Sequence, residues 1–238
     1  MGPKYYKKNT KSQIKSSNFS HAKNLVIVES PSKCAKIEHF LGVEYRCIDS
    51  KGHLRELKGL KSIDTKNTFL PSFNMIDEKK YHIQQMKGFI NKFDSKNIFL
   101  ATDDDREGEA IAWHICEIFN LPITTPRIIF HEITKTAIIN AIQNPTIINM
   151  NLVQAQHARQ VLDVIVGYKI SPFLWKYLYN NKDNSLSAGR CQTPALRLIY
   201  ENNESKNEVV DKNYKINGQF GSQNYNFQLT KNIEKENI

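Results

Sequence analysis

The sequence predicts an α/β domain with a mainly parallel sheet over residues 23–147, followed by a mostly α-helical segment. Three features of the chain lead there. Short apolar runs without polar alternation, such as Leu25 to Val28 and Ile98 to Ala101, read as strands buried on both faces. Each run gives way to a polar turn and then an amphipathic helical pattern, the alternation of an α/β domain. Beyond Pro145 the strands cease and apolar residues recur at helical spacing.

In chain order, the Leu25 to Val28 strand ends at Glu29-Ser30-Pro31-Ser32-Lys33. A helix follows through Cys34, Ile37 and Leu41 to Gly42, with Ser32 as its expected N-cap. Glu29 and Lys33 therefore sit at a strand-to-helix turn, either as an ordinary surface turn or as an acid/base and phosphate-binding pair. Tyr45 to Ser50 is a second strand, and the turn after it carries His53, a residue that alone would be weak evidence of function. Residues 58–81 are irregular around Pro71 and read as a long connection. A helix from Ile83 to Phe93 leads into the Ile98 to Ala101 strand. Arg127 to Phe130, after Pro126, is a fourth strand candidate. Thr134 caps a helix through Ala137, Ile138 and Ile142, which Pro145 stops. Such a sheet would gather Glu29, Lys33, His53 and the residues after Ala101 on one edge, where open α/β sheets hold their ligands.

Those residues after Ala101 are the most distinctive in the chain. Asp103, Asp104, Asp105, Glu107 and Glu109 place five carboxylates within seven residues. They repel one another unless a cation or tight hydrogen bonding offsets them. A solvated acidic turn is the plain alternative; the position at a buried strand end favours a divalent-metal site. A calcium loop does not fit, because Asp103, Asp105, Glu107 and Gly108 mimic its early positions but its bidentate glutamate would be His114, and a strand precedes it where a helix belongs.

Asn151 to Tyr168 reads as a helix with Leu152, Ala155, Ala158, Leu162 and Ile165 as its core face. Gln156, Arg159 and Asp163 lie on the other. Arg159 and Asp163 are spaced as an i,i+4 ion pair or as a ledge for a bound strand. Ser171-Pro172 predicts a new helix, whose Phe173, Leu174, Trp175, Tyr177, Leu178 and Tyr179 are read as packing. After the loop 180–184, Thr193 and Pro194 open another helix through Tyr200. Arg190 and Gln192 just before it suit phosphate contact, since free N–H groups there favour anions. Tyr214 to Leu229 alternates weakly, like the start of a β-rich segment.

The formal charge of +9 suggests a polyanionic partner. About half of the excess, Lys4, Lys7, Lys8, Lys11 and Lys15, lies in residues 1–22, which have no acidic residue and read as a disordered basic tail. No run approaches a membrane span, so a soluble, intracellular protein is expected. The four cysteines are too scattered in sequence for a zinc site or a disulfide framework.

Several of these stretches, in order, resemble the type IA DNA topoisomerases: Leu25 to Lys33, Ser50 to Leu57, Ala101 to Ala110, Phe130 to Lys135, Gln156 to Asp163 with Val166-Gly-Tyr168, Ser171 to Trp175, and Ser187 to Gln192. The resemblance covers roughly residues 23–204. Its first and third stretches alone would mark only a TOPRIM domain, which primases, gyrase-type enzymes and some nucleases also carry. The run from Gln156 to Gln192 narrows it to type IA. The resemblance implies a TOPRIM domain over 23–147, the first part of a helical winged-helix-like DNA-binding domain over 148–204, and an incomplete β-rich arch over 205–238. It implies transient cleavage of one DNA strand through a tyrosine, passage of another strand and resealing, which relaxes supercoils. By motif position, Asp103, Asp105 and Glu107 would bind Mg²⁺, Glu29 would move a proton at the 3′-oxygen, and Lys33 would stabilise phosphate charge. Arg106, Arg159, Asp163, Arg190, Gln192 and His53 fall at positions implied to meet single-stranded DNA.

One part is missing from the pattern. The family's nucleophile lies in Tyr-x-Arg-Thr, and none of the ten tyrosines has that context. A free tyrosine titrates near 10 and is a poor nucleophile without cationic neighbours. The expectation is a chain that cannot cleave DNA by itself, whose gate domain is supplied in cis or by another chain. The alternatives are a TOPRIM primase or nuclease, weakened by the lack of a Cys/His zinc cluster, and a noncatalytic single-strand-binding remnant, which leaves Glu29 and Lys33 without a role.

Overall fold

The computed structural model describes residues 21–178, 186–207, 214–222 and 225–233. Most of the basic tail and the loop 180–184 lie outside the described residues. The chain forms two compact units, Met1–Lys169 and Ile170–Ile238.

In the first unit, β1 (Asn24–Val28) is central, flanked by β2 (Tyr45–Asp49) and β5 (Ile98–Ala101) in the order β2-β1-β5. Both pairings are parallel, and Val28 lies opposite Asp49 on one side and Ala101 on the other. The three strands thus end level, so Glu29, Ser50 and Thr102 leave the sheet along one edge. The register follows from burial. Leu25 and Ile27 point into one core with Ile48, Leu100, Ile111 and Ile115, while Val26 and Val28 point into another with Ile37, Ala101, Ile128 and Ile138. A one-residue slip would exchange these sets between faces. Each fully buried aliphatic side chain contributes roughly 1.5–3 kcal/mol.

Helices α2 (Lys80–Ile90) and α3 (Arg106–Phe119) supply the first core; α1 (Pro31–Leu41) and α4 (Lys135–Gln143) supply the second. Thr134 caps α4 as expected, accepting the Ala137 N–H at 3.3 Å. Helix α1 instead begins two residues earlier than expected, with Ser30 in the N-cap place and Pro31 next, because proline's fixed φ suits the first helical position.

The fourth strand does not form. Arg127 makes isolated bridges to Leu100 and Thr146. Pro126 offers no N–H to extend the ladder backwards, and β5 has only Ala101 left beyond Leu100. The long connection contains two short antiparallel strands, β3 (Arg55–Glu56) and β4 (Asn74–Met75).

Helix α5 runs without interruption from Met150 to Tyr177 with Pro172 inside it, so Ser171-Pro172 is not a helix start. Proline there forfeits one backbone hydrogen bond without ending the helix. Its buried line is also not the expected one. Val153, Gln156 and Val161 are buried, while Ala155, Ala158 and Leu162 are exposed. Apolar residues occupy more than one side of this helix, and packing of His157 against Phe73 and Trp113 selects the Val153 side.

In the second unit, Ala188 N–H donates to Ser171 Oγ at 3.0 Å and Trp175 Nε1–H to the Leu186 carbonyl. Helix α6 spans Gln192–Asn207, and β6 (Tyr214–Ser222) pairs antiparallel with β7 (Tyr225–Ile233). Phe173, Trp175, Tyr177 and Leu178 are exposed, so the expected packing role is not what this unit shows.

Candidate active site at the strand ends

The level strand ends bring together most of what the sequence singled out. Lys33, in the first turn of α1, forms an ion pair with Asp103 Oδ1. Glu29 follows β1 directly, and its carbonyl accepts the Gly52 N–H at 3.0 Å, which ties it to the turn bearing His53. His53 Nε2 stands 2.9 Å from Glu107 Oε1. Asp103, Asp105 and Glu107 are exposed on the turn between β5 and α3. A cleft of about 350 Å³ opens there, lined by Lys33, Asp103, Asp105, Phe130, His131 and Glu132.

The turn is built tightly. Asp105 is the N-cap of α3, and its Oδ1 accepts the Gly108 N–H at 2.7 Å. Thr102 Oγ1–H donates to the Gly108 carbonyl at 2.8 Å. A Cβ on Gly108 would lie 2.1 Å from the Asp103 carbonyl oxygen, so only glycine lets the turn close on the helix.

Burial raises the Glu29 carboxyl above its ordinary value; Asp103 adds to this, Lys33 opposes it, and Asp105 contributes further. Carboxylates gathered this closely, with one lysine opposing them, form a setting whose repulsion a divalent cation would relieve. Among the described residues no three His, Cys, Asp or Glu side chains already converge as a coordination sphere. The carboxylates turn instead to Lys33, Gly108 N–H and His53. Mg²⁺ keeps several waters and needs only one or two carboxylates, so Asp103 with a neighbour on the same turn fits its chemistry.

Sequence reasoning missed three supports. Glu109 is not part of the solvent-facing acidic group. It is buried, with Oε1 3.2 Å from Nε of the fully buried Arg127 and Oε2 accepting the Asn149 N–H at 3.1 Å. Arg127 Nη2–H donates to the Asp103 carbonyl at 2.8 Å, so this pair props the acidic turn from beneath. Glu109 stands three residues before Ala112 and seven before Cys116, both buried, and that helical spacing was the available signal. The third support is Lys79, which donates to the carbonyls of Lys51 (2.7 Å) and His53 and so holds the His53 turn. Nothing in the local pattern marked it.

Of the residues implied to meet DNA, Arg106 is exposed at the start of α3. Arg159 and Asp163 lie on α5 at 4.0 Å, a loose pair. Arg190 and Gln192 belong to the second unit, where Gln192 begins α6 and its Oε1 accepts from Ser187 Oγ at 3.1 Å.

The Toprim domain family matches residues 24–133, which hold the parallel sheet and the strand ends that carry Glu29, Lys33 and the acidic turn. The DNA topoisomerase family matches residues 147–238. A full-length topoisomerase I from Thermotoga maritima, solved in a monoclinic crystal form, is 39% identical with a TM-score of 0.69. The match covers 82% of this chain and 32% of that one, so this chain spans about a third of the Thermotoga protein's length. By these matches the chain is similar to the type IA DNA topoisomerases.

Proposed function

We propose that these residues form the Mg²⁺-binding and acid–base half of a type IA DNA cleavage and religation site. The observation that carries the reading is the meeting of Glu29, Lys33 and the Asp103–Glu107 turn at one sheet edge. Asp103, Asp105 and Glu107 hold Mg²⁺, which supplies neutralisation of phosphate charge when bound. Lys33 Nζ, already drawn to this edge, offers an ammonium to the non-bridging phosphate oxygens. Glu29, whose carboxyl burial lifts above its ordinary value, donates a proton to the 3′-oxygen on cleavage and takes it back on religation. Arg106, Arg159, Asp163, Arg190, Gln192 and His53 position single-stranded DNA. Residues 23–147 form the Toprim domain, 148–204 the start of the winged-helix-like domain and 205–238 the start of the arch.

None of the ten tyrosines has the Tyr-x-Arg-Thr context, so the nucleophile comes from outside these 238 residues. The topoisomerase match over residues 147–238 favours this reading over a Toprim primase or nuclease. A direct test incubates the chain with an end-labelled single-stranded oligonucleotide and Mg²⁺, then denatures it. The expected result is no covalent protein–DNA adduct and no cleavage. An adduct on any tyrosine of this chain, or hydrolytic cutting, would overturn the division of labour.

A further inference from the structure

The segment that leaves β2 is held from two sides by alternating groups. On one side its N–H groups donate to the end of β1, Ser50 to the Val28 carbonyl at 2.9 Å and Gly52 to the Glu29 carbonyl at 3.0 Å. On the other side its carbonyls meet the start of α2. The Asp49 carbonyl accepts from His82 Nε2 at 2.7 Å. The carbonyls of Lys51 and His53 both accept from the Lys79 ammonium, the first at 2.7 Å. Between these supports the backbone is left-handed at two successive residues, Lys51 with φ 58° and Gly52 with φ 80°. At a non-glycine residue that conformation persists only where its surroundings over-determine it.

Lys79 differs from the lysines around it. Lys58 and Lys80 pair with Asp77 on the surface. Lys79, the last residue of the single turn Asp77–Lys79, is partly buried and directs its ammonium at backbone oxygens. Burial, with the nearby Lys51 charge, lowers it from the ordinary lysine value. The helix that follows gives it a firm base, because Ile83, Met86 and Ile90 lie in the first core.

What the held segment presents to the site is His53. Its Nε2 stands 2.9 Å from Glu107 Oε1, and its Nδ1 is buried without a hydrogen-bond partner among the described residues. A carboxylate only accepts, so the ring proton belongs on Nε2 and is directed at Glu107. We propose that Lys79 is a positioning residue of this site: by gathering the Lys51 and His53 carbonyls it fixes His53 against Glu107, and through His53 it orients that carboxylate for Mg²⁺. Only the last step rests on the function proposed for Glu107; the hold of Lys79 on His53 does not. A hydrogen bond that orients a metal-binding carboxylate is typically worth about 10- to 100-fold in metal affinity. Lys79 acts through one further contact, so its loss costs less than the loss of His53.

The first readout is carbethoxylation of histidines by diethyl pyrocarbonate, mapped by mass spectrometry without Mg²⁺ or DNA. Exposed His39 serves as the reference and buried His114 as the monitor of folding. In Lys79→Met, His53 is expected to react about two- to tenfold faster than in the unaltered chain, the range that one net hydrogen bond spans. Lys79→Gln, which keeps one donor group, gives an intermediate rate and stands in if Lys79→Met does not fold. Lys79→Arg, whose guanidinium presents several donors, restores protection. No acceleration at His53 in either neutral variant, or equal acceleration at His114, would overturn the positioning role. The second readout is Mg²⁺ affinity by calorimetry. Lys79→Met and His53→Ala each weaken it, and the double variant binds no more weakly than His53→Ala. Additive weakening would show that Lys79 does not act through His53. If the unaltered chain binds no Mg²⁺, the metal reading of the site falls, and carbethoxylation alone decides whether Lys79 holds His53.

Discussion

At the scale of single residues, the acidic turn depends on groups that never face the cleft. Arg127 is fully buried and shares its charge between Glu109 and the Asp103 carbonyl. Removing one member of a buried pair strands the other in low dielectric, at about 3–5 kcal/mol. Arg127→Met is therefore expected to lower the urea midpoint sharply, and Arg127→Met with Glu109→Leu to recover most of the loss. Equal destabilisation by the single and double variants would show that the pair is not coupled. Gly108→Ala forces a Cβ against the Asp103 carbonyl and should cost about 1–3 kcal/mol, read as a lower melting temperature. The carboxylates of this turn were legible from their spacing alone. Their sorting into exposed Asp103, Asp105 and Glu107 and buried Glu109 was not, because the partner that buries Glu109 lies 18 positions away at Arg127.

At the scale of elements, α3 and α5 meet through rings. Phe73 lies 4.6 Å from His114 and 4.7 Å from His157, and Trp113 lies 5.0 Å and 4.9 Å from the same two, centroid to centroid. Burial lowers the His114 imidazole to about 3 from its ordinary 6.5, with nearby His157, Arg55 and His53 adding to the effect. Burial also lowers His157. The folded chain thus keeps His114 neutral where the unfolded chain takes up a proton. The stability is fully present above pH 6.5 and is lost as pH falls from 6.5 toward 3. The slope from this one group reaches about 1.4 kcal/mol per pH unit. Chemical denaturation between pH 7 and 4 should show it, and His114→Phe should flatten it; an unchanged slope would remove His114 as the cause. This interface also explains why α5 was misread. A helix with apolar residues on several sides has no single periodic stripe, and tertiary packing, of Val153 into the first core and of His157 against Phe73 and Trp113, decides which side is covered. The strands, by contrast, were legible because burial on both faces leaves no polar alternation. The fourth failed because pairing needs a free partner edge of sufficient length, which four-residue β5 does not offer beyond Leu100.

At the scale of the whole molecule, the function proposed above makes single-stranded DNA the ligand to test, in keeping with a net charge of +9. Its affinity should fall linearly with salt on logarithmic axes, by a slope of about 0.7 per phosphate neutralised. Arg159→Ala should reduce that slope by about one such contact; an unchanged slope would take Arg159 off the binding path. No helix among the described residues is long and apolar enough to cross a membrane. What unites the molecule is the level ending of three parallel strands, which turns separate motifs into one edge. The central claim is that this edge holds Mg²⁺ through its acidic turn, and the melting temperature of the chain with and without Mg²⁺ measures it. The account predicts that Mg²⁺ raises the melting temperature of the unaltered chain and that the Asp103→Asn, Asp105→Asn double variant loses the rise. An equal rise in the double variant, or none in the unaltered chain, would contradict it.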